Sequence, residues 1–308
     1  MQRAEAARKT DAFFGPHGLR AGWRVLLFVV FAWTAAFVVG IPIVASRVFD
    51  SMTAGFVVLL VAGLLASAVM LHWVDRRPFG ALGFALDPRA ASDSAVGFAV
   101  GGGLLGGAVL LLAVAGTARW VADAGTVPEY AAALARTLAM FAVAAAMEEV
   151  MFRGYPFQAL VQGIGVWPAV MASSLLFALA HTGNDHANWL GLTNIFLAGI
   201  MLAVAYLRTR SLWFATALHA GWNWVMSALL DFPVSGGQFD TPLYDARETG
   251  ADWWTGGAFG PEAGLAATLA IVAGTVWMLR TKHLSESPRM RELRPLVDAR
   301  LEGEWNGR

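Results

Sequence analysis

The sequence has no cysteine at all. That removes disulfides, thiolate metal sites and a cysteine nucleophile together. Charge is also scarce: 14% of the 308 residues are Asp, Glu, Lys or Arg, and the 22 basic side chains balance the 22 acidic ones. A chain of zero net charge offers no electrostatic footprint for nucleic acid. No His-Glu-x-x-His segment occurs, so the helix-borne ligand pair of the common zinc proteases is missing. There is no internal repeat of the kind that builds inverted-topology transporters. Nor does the first apolar run look like a cleavable leader. It is too long and lacks a small-residue cleavage pattern, so it is read as a retained anchor.

What the chain does have is apolar length. It is 57% hydrophobic, with 33 Gly and 13 Trp and a mean hydropathy of +0.56. This composition predicts an all-α, polytopic membrane helix bundle, with Trp at the interfaces and Gly at helix contacts. Eight apolar segments are expected as transmembrane helices, at about 25–44, 56–73, 95–116, 131–160, 167–181, 189–207, 212–230 and 263–279. The fourth is too long for a plain span and is read as one long tilted helix or a span plus an interfacial turn. With eight spans and a cytoplasmic N-terminus, only Arg47, Arg119, Arg136 and Arg247 fall on the outer side. Every other Lys or Arg, Arg24 and Arg153 included, is inside, which places both termini in the cytoplasm. Gly97, Gly101, Gly102, Gly103, Gly106 and Gly107 form a stripe on the third helix, read as a packing face.

Three polar groups interrupt the apolar segments. Met147–Gly154 reads Met-Glu-Glu-Val-Met-Phe-Arg-Gly. A charge at bilayer depth costs about 3 kcal/mol on insertion scales, so such residues usually face the protein interior and are functional. Glu149 and Arg153 are four apart on a helix and form a natural ion pair. Glu148 lies about 100° round the helix and is left free for proton chemistry. The alternative is a cytoplasmic helix end where all three meet water. Second, Phe177-Ala-Leu-Ala-His181 ends the fifth segment. A turn at Gly163–Gly165 would bring His181 and Glu148 to one depth in an antiparallel hairpin. Third, His219 and Asn223 are four apart on the seventh segment and share a face, with Gly221 leaving room beside them. That pair suits an oxyanion site or a metal site, against the plainer reading of an interhelical hydrogen bond. His17, His72 and His283 are read as solvated, and Asp185 and His186 as a polar turn. Ser173 and Ser174 lack an elbow-type surround for a nucleophile.

Glu148-Glu149 with Arg153-Gly154, then Phe177-x-x-x-His181, then His219-x-x-x-Asn223, resembles the three-motif signature of the CAAX protease and bacteriocin-processing (CPBP, or Abi) family. These are intramembrane glutamic endopeptidases related to the Ras-converting CAAX enzymes. The resemblance covers about 131–230 and implies catalytic Glu148, His181, His219 and Asn223, supported by Glu149 and Arg153, without metal or other cofactor. It implies hydrolysis of a peptide bond in a membrane-associated peptide or protein, with the lipid bilayer as the other partner and no nucleic acid. The expected organisation is a cytoplasmic segment at 1–24, three accessory helices within 25–130, the catalytic core at 131–230, an external Gly/Trp-rich loop at 231–262, a last helix at 263–280 and a loose cytoplasmic tail at 281–308. A bacterial cytoplasmic membrane is the expected location. The rival readings are a non-catalytic scaffold or self-immunity protein, a proton-coupled transporter, and a metal-dependent membrane hydrolase holding an ion between Glu148, His181 and His219.

Overall fold

All eight apolar segments are helical. The computed structural model describes residues 12–15, 18–239, 241–293 and 295. His17, the basic side chains Arg3, Arg8 and Lys9, and the tail from 296 onward lie outside them. The helices are α1 (Ala21–Ser46), α2 (Ser51–Val69), α3 (Arg89–Val114), α4 (Val127–Phe152), α5 (Tyr155–Ile164), α6 (Val166–Ala180), α7 (Trp189–Thr209), α8 (Leu212–Trp224) and α9 (Leu265–Arg280). Single π turns extend α2 over Met70–Val74 and α8 over Val225–Leu229. Among the described residues, five stretches are long and apolar enough to cross a membrane: α1, α2 with its π turn, α3, α4 continuing into α5, and α7. Helices α6 and α9 are apolar but shorter, at 15 and 16 residues. Fifteen residues rise only about 22 Å, less than the roughly 30 Å hydrocarbon core.

The helix starts follow from local chemistry. Asp50 accepts from the backbone N–H groups of Met52 and Thr53 to open α2, a cap worth about 1 kcal/mol. Thr126 and Glu129 form a capping box at α4. Asn188 and Ser211 cap α7 and α8. The fourth segment breaks at Arg153–Gly154, the span-plus-turn form of the expectation. A Cβ on Gly154 would collide with the Val150 carbonyl oxygen, so only glycine lets the chain fold back there. Gly165, at φ +90°, makes the next turn into α6.

Apolar burial drives little association between helices already in lipid, so close backbone approach matters more. The third-helix stripe provides it on one face. Cβ atoms on Gly97 and Gly101 would collide with the Phe214 and Leu218 carbonyls of α8, whereas Gly103, Gly106 and Gly107 face open space. Gly221 answers from α8, packed against the Phe98 carbonyl. Its missing side chain therefore serves helix packing and not the room beside His219 that its spacing suggested.

Two expected free segments are partly built into the fold. Arg24 is buried and pairs with Asp75 at 3.0 Å. The tail folds into α10 (Pro288–Leu293), which buries Met290 and Leu293. The connection after α8 is ordered by pairing: β1 (Ala118–Ala122) lies antiparallel to β2 (Tyr244–Glu248). Trp120 donates from its indole to the Leu230 carbonyl, and Asn184 donates to the Ser235 carbonyl. These contacts draw the α3–α4, α6–α7 and α8–α9 connections together at one end of the bundle.

Candidate active site

The last turns of α4 carry both carboxylates, and the break at Gly154 leaves Arg153 directly below them. Glu149 and Arg153 have fully buried side chains. Glu149 Oε1 accepts from Arg153 Nη1 at 3.0 Å and from His219 Nδ1 at 3.0 Å. A carboxylate in an ion pair only accepts, so Nδ1 carries the ring proton in this arrangement. Arg153 is itself fixed twice more. Its Nη2 donates to the Gly199 carbonyl at 3.1 Å, and its guanidinium lies 4.4 Å over the Phe177 ring. Arg153 thus belongs to the interior and not to the inside-facing charges among which its position counted it.

With Nδ1 committed to Glu149, His219 turns Nε2 toward Glu148, whose Oε2 is 3.8 Å away. That gap suits one bridging water. Glu148 Oε2 is buried and has no hydrogen-bond partner among the described residues. His181 caps α6, and its Nδ1 is 2.8 Å from the Phe177 carbonyl, which can only accept, so Nε2 is left with its lone pair. The Phe177 ring sits between the imidazoles, 4.7 Å from His181 and 6.0 Å from His219 between centroids. Among the described residues no ion-pair contact within 4.0 Å joins His181 to Glu148; the imidazole that makes one is His219. Asn223 lies one turn beyond His219 on α8.

A cavity of about 660 Å³ gathers Glu148, His181, His219 and Asn223 on its walls. All four expected catalytic positions therefore meet at one space, and Glu149 and Arg153 stand behind its wall. The rest of the lining is mainly apolar, with Met52 and Phe56 from α2 facing Met140 and Met147 from α4. Ser173 and Ser174 do not line it; the Ser173 hydroxyl is taken by the Phe152 carbonyl at 2.6 Å. Residues 130–225 match the family described as type II CAAX prenyl endopeptidase Rce1-like. The likeness covers the segment that carries all of the motif residues. No curated protein and no solved structure matches the chain. The family indicates a protease, and together with the spanning-length helices it makes the chain an integral membrane protein.

The Rce1-like segment does not supply the whole cavity. Met52, Phe56 and Leu59 come from α2, and Ser235, Gly236 and Glu262 from the connection after α8; Asp185, which reads as part of a polar turn, is on the rim within the segment. Glu262 is buried, with Ser235 donating to its Oε1 at 2.5 Å. Burial pushes its carboxyl above the ordinary range, opposed in part by the Ser235 hydrogen bond and by the nearby His181 and His219 imidazoles. Sequence reasoning missed this third carboxylate, because a glutamate closing a Gly-rich loop has no periodicity to reveal it. Among the described residues no group of three or more His, Asp or Glu is arranged to hold a metal ion.

Proposed function

We propose that the chain is an intramembrane endopeptidase of the glutamic type, with eight spans and both termini in the cytoplasm of a bacterial cell. Its substrate is a membrane-associated peptide or protein. The observation that carries this reading is the approach of Glu148 Oε2 to His219, whose other ring nitrogen is already bound to Glu149. An unpartnered carboxylate oxygen beside an oriented imidazole, inside a largely apolar cavity, is what general-base activation of water requires.

Glu148, with His181 Nε2 as the second acceptor, takes a proton from water as the hydroxide adds to the scissile carbonyl carbon. His219, as an imidazolium that has taken a proton from solvent at Nε2 and keeps it, and Asn223 from its amide donate to the oxygen that becomes negative. Such donors are worth about 3–4 kcal/mol each in other hydrolases. The C–N bond then breaks, and the proton held by Glu148 passes to the departing amine. Glu149 and Arg153 are positioning residues acting through His219 and the α4 terminus.

The test is a comparison of new N-termini in membrane fractions from cells expressing the protein or its Glu148→Gln variant at equal levels. The expected result is a set of termini present with the first and missing with the second. Identical sets would remove the carboxylate from any hydrolysis and favour a scaffold. Repeating the assay on purified protein after chelation separates the metal-free scheme from a metal-dependent one.

A further inference from the structure

The two ends of the bundle differ in charge. At the end that carries the cavity rim, the basic side chains of the connections are Arg47, Arg119 and Arg247, set among Asp50, Asp123, Asp185, Asp245, Glu248 and Asp252. The opposite end holds Arg20, Arg76, Arg77, Arg89, Arg280, Lys282, Arg289 and Arg291, besides the buried Arg24 and Arg210, against the acidic Asp75, Asp87, Asp93, Glu286 and Glu292. Its connections are tied together by Arg89 donating to Ser285 and Glu286, Arg208 donating to the Thr281 and Leu284 carbonyls, and Gln158 donating to the Leu82 carbonyl. Lys and Arg in short connections near span ends stay on the cytoplasmic side.

The cavity communicates with the other end. At that end its rim is the exposed Gly183 and Asp185, continued by Ser235, Gly236 and Gly237, while the lining residues Met52 and Leu59 of α2 are exposed along one flank. The α7 residues on its wall run from Ile195 to Leu202 and stop short of the Thr209 end of that helix, and no described residue of 75–93 or 280–293 lines it. The basic end is closed beneath it by the buried Arg153 and the packed side chains of Tyr155, Phe157 and Tyr206.

We propose that the cavity opens on the extracytoplasmic face of the membrane, and that it takes a membrane-anchored polypeptide whose scissile bond is presented from that face. The substrate half of this statement rests on the endopeptidase reading; the sidedness does not. It sets apart a translocated or outward-facing chain from a lipidated protein held on the cytoplasmic surface.

The absence of cysteine makes the test direct, because any introduced thiol is the sole one. Asp185→Cys and Trp253→Cys place thiols at exposed positions of the rim end, and Lys282→Cys and Arg289→Cys at exposed positions of the basic end. Each variant, in sealed spheroplasts, is treated with a membrane-impermeant maleimide before and after permeabilisation. The rim-end pair is expected to label fully in sealed cells, and the basic-end pair only after permeabilisation. The reverse pattern overturns the proposal and leaves the endopeptidase reading standing. Two positions at each end keep the answer available if one variant fails to reach the membrane. Labelling needs no turnover, so an inactive protein with the expected pattern defeats the protease reading alone.

Discussion

At the basic end of the bundle, Arg24 meets Asp75 at 3.0 Å and Arg210 meets Glu286 at 2.9 Å, with all four side chains buried. Tyr155 donates to the same Asp75 at 2.6 Å. At the cavity end, by contrast, Glu148 keeps a buried oxygen without a hydrogen-bond partner among the described residues, and the connections are held by strand pairing and side chain-to-backbone hydrogen bonds. One end satisfies its charges and is locked. The other leaves a carboxylate and two imidazole nitrogens available. The Glu149–Arg153 pair is a lock of the first kind placed at the foot of the second. It lets the chain hold a free carboxylate one residue away without losing the geometry of the helix end.

The comparison breaks most clearly at Glu148. Glu148→Gln keeps the shape and removes the base, so turnover should fall by about 10²–10⁴-fold. Its unfolding midpoint in detergent should match that of the parent. A large drop in midpoint with residual turnover would mean that Glu148 is structural after all. Asp75→Ala should do the opposite. Removing one partner of a buried ion pair costs about 3–5 kcal/mol, while the turnover of the folded fraction stays unchanged. Loss of specific activity without loss of stability would show that the ends are coupled. Asn223→Ala comes third, with about 10²–10³-fold lost in kcat. Its Asn223→Asp counterpart keeps the size and removes the amide donor. If both variants act as the parent does, Asn223 is not a donor to the oxyanion.

Much of the locked architecture was legible because hydropathy reports it directly: each apolar run became a helix. The four-residue glycine spacing correctly marked a packing face, but spacing says nothing of how far along a stripe the neighbour extends, and only Gly97, Gly101 and Gly102 meet α8. The motif residues were visible because charge and imidazole are costly in such a background. Their partners were not. The Glu149–His219 bond spans 70 residues, and no local period encodes it. Arg24 read as a surface cation, since its burial depends on Asp75, a carboxylate that the fold brings from elsewhere, whereas the Glu149–Arg153 pair was legible from its four-residue spacing. Glu262 was hidden for the same reason: its role as cavity wall comes from how the 231–262 connection folds over α6 and α8.

Glu262 gives the smallest effect and the sharpest contrast with the basic end. Its carboxyl is held above the ordinary range chiefly by burial. The folded state therefore binds this proton more tightly than the unfolded chain does. Stability from this group is full at low pH and declines as pH rises through the raised value. In Glu262→Gln the Ser235 hydroxyl can still donate to the side-chain carbonyl, but no charge develops. Unfolding midpoints measured across the range above ordinary carboxylate titration should fall with pH in the parent and fall less in the variant. Parallel slopes would mean that the cavity end carries no unrelieved charge of its own at Glu262, and the difference between the two ends would then rest on Glu148 alone.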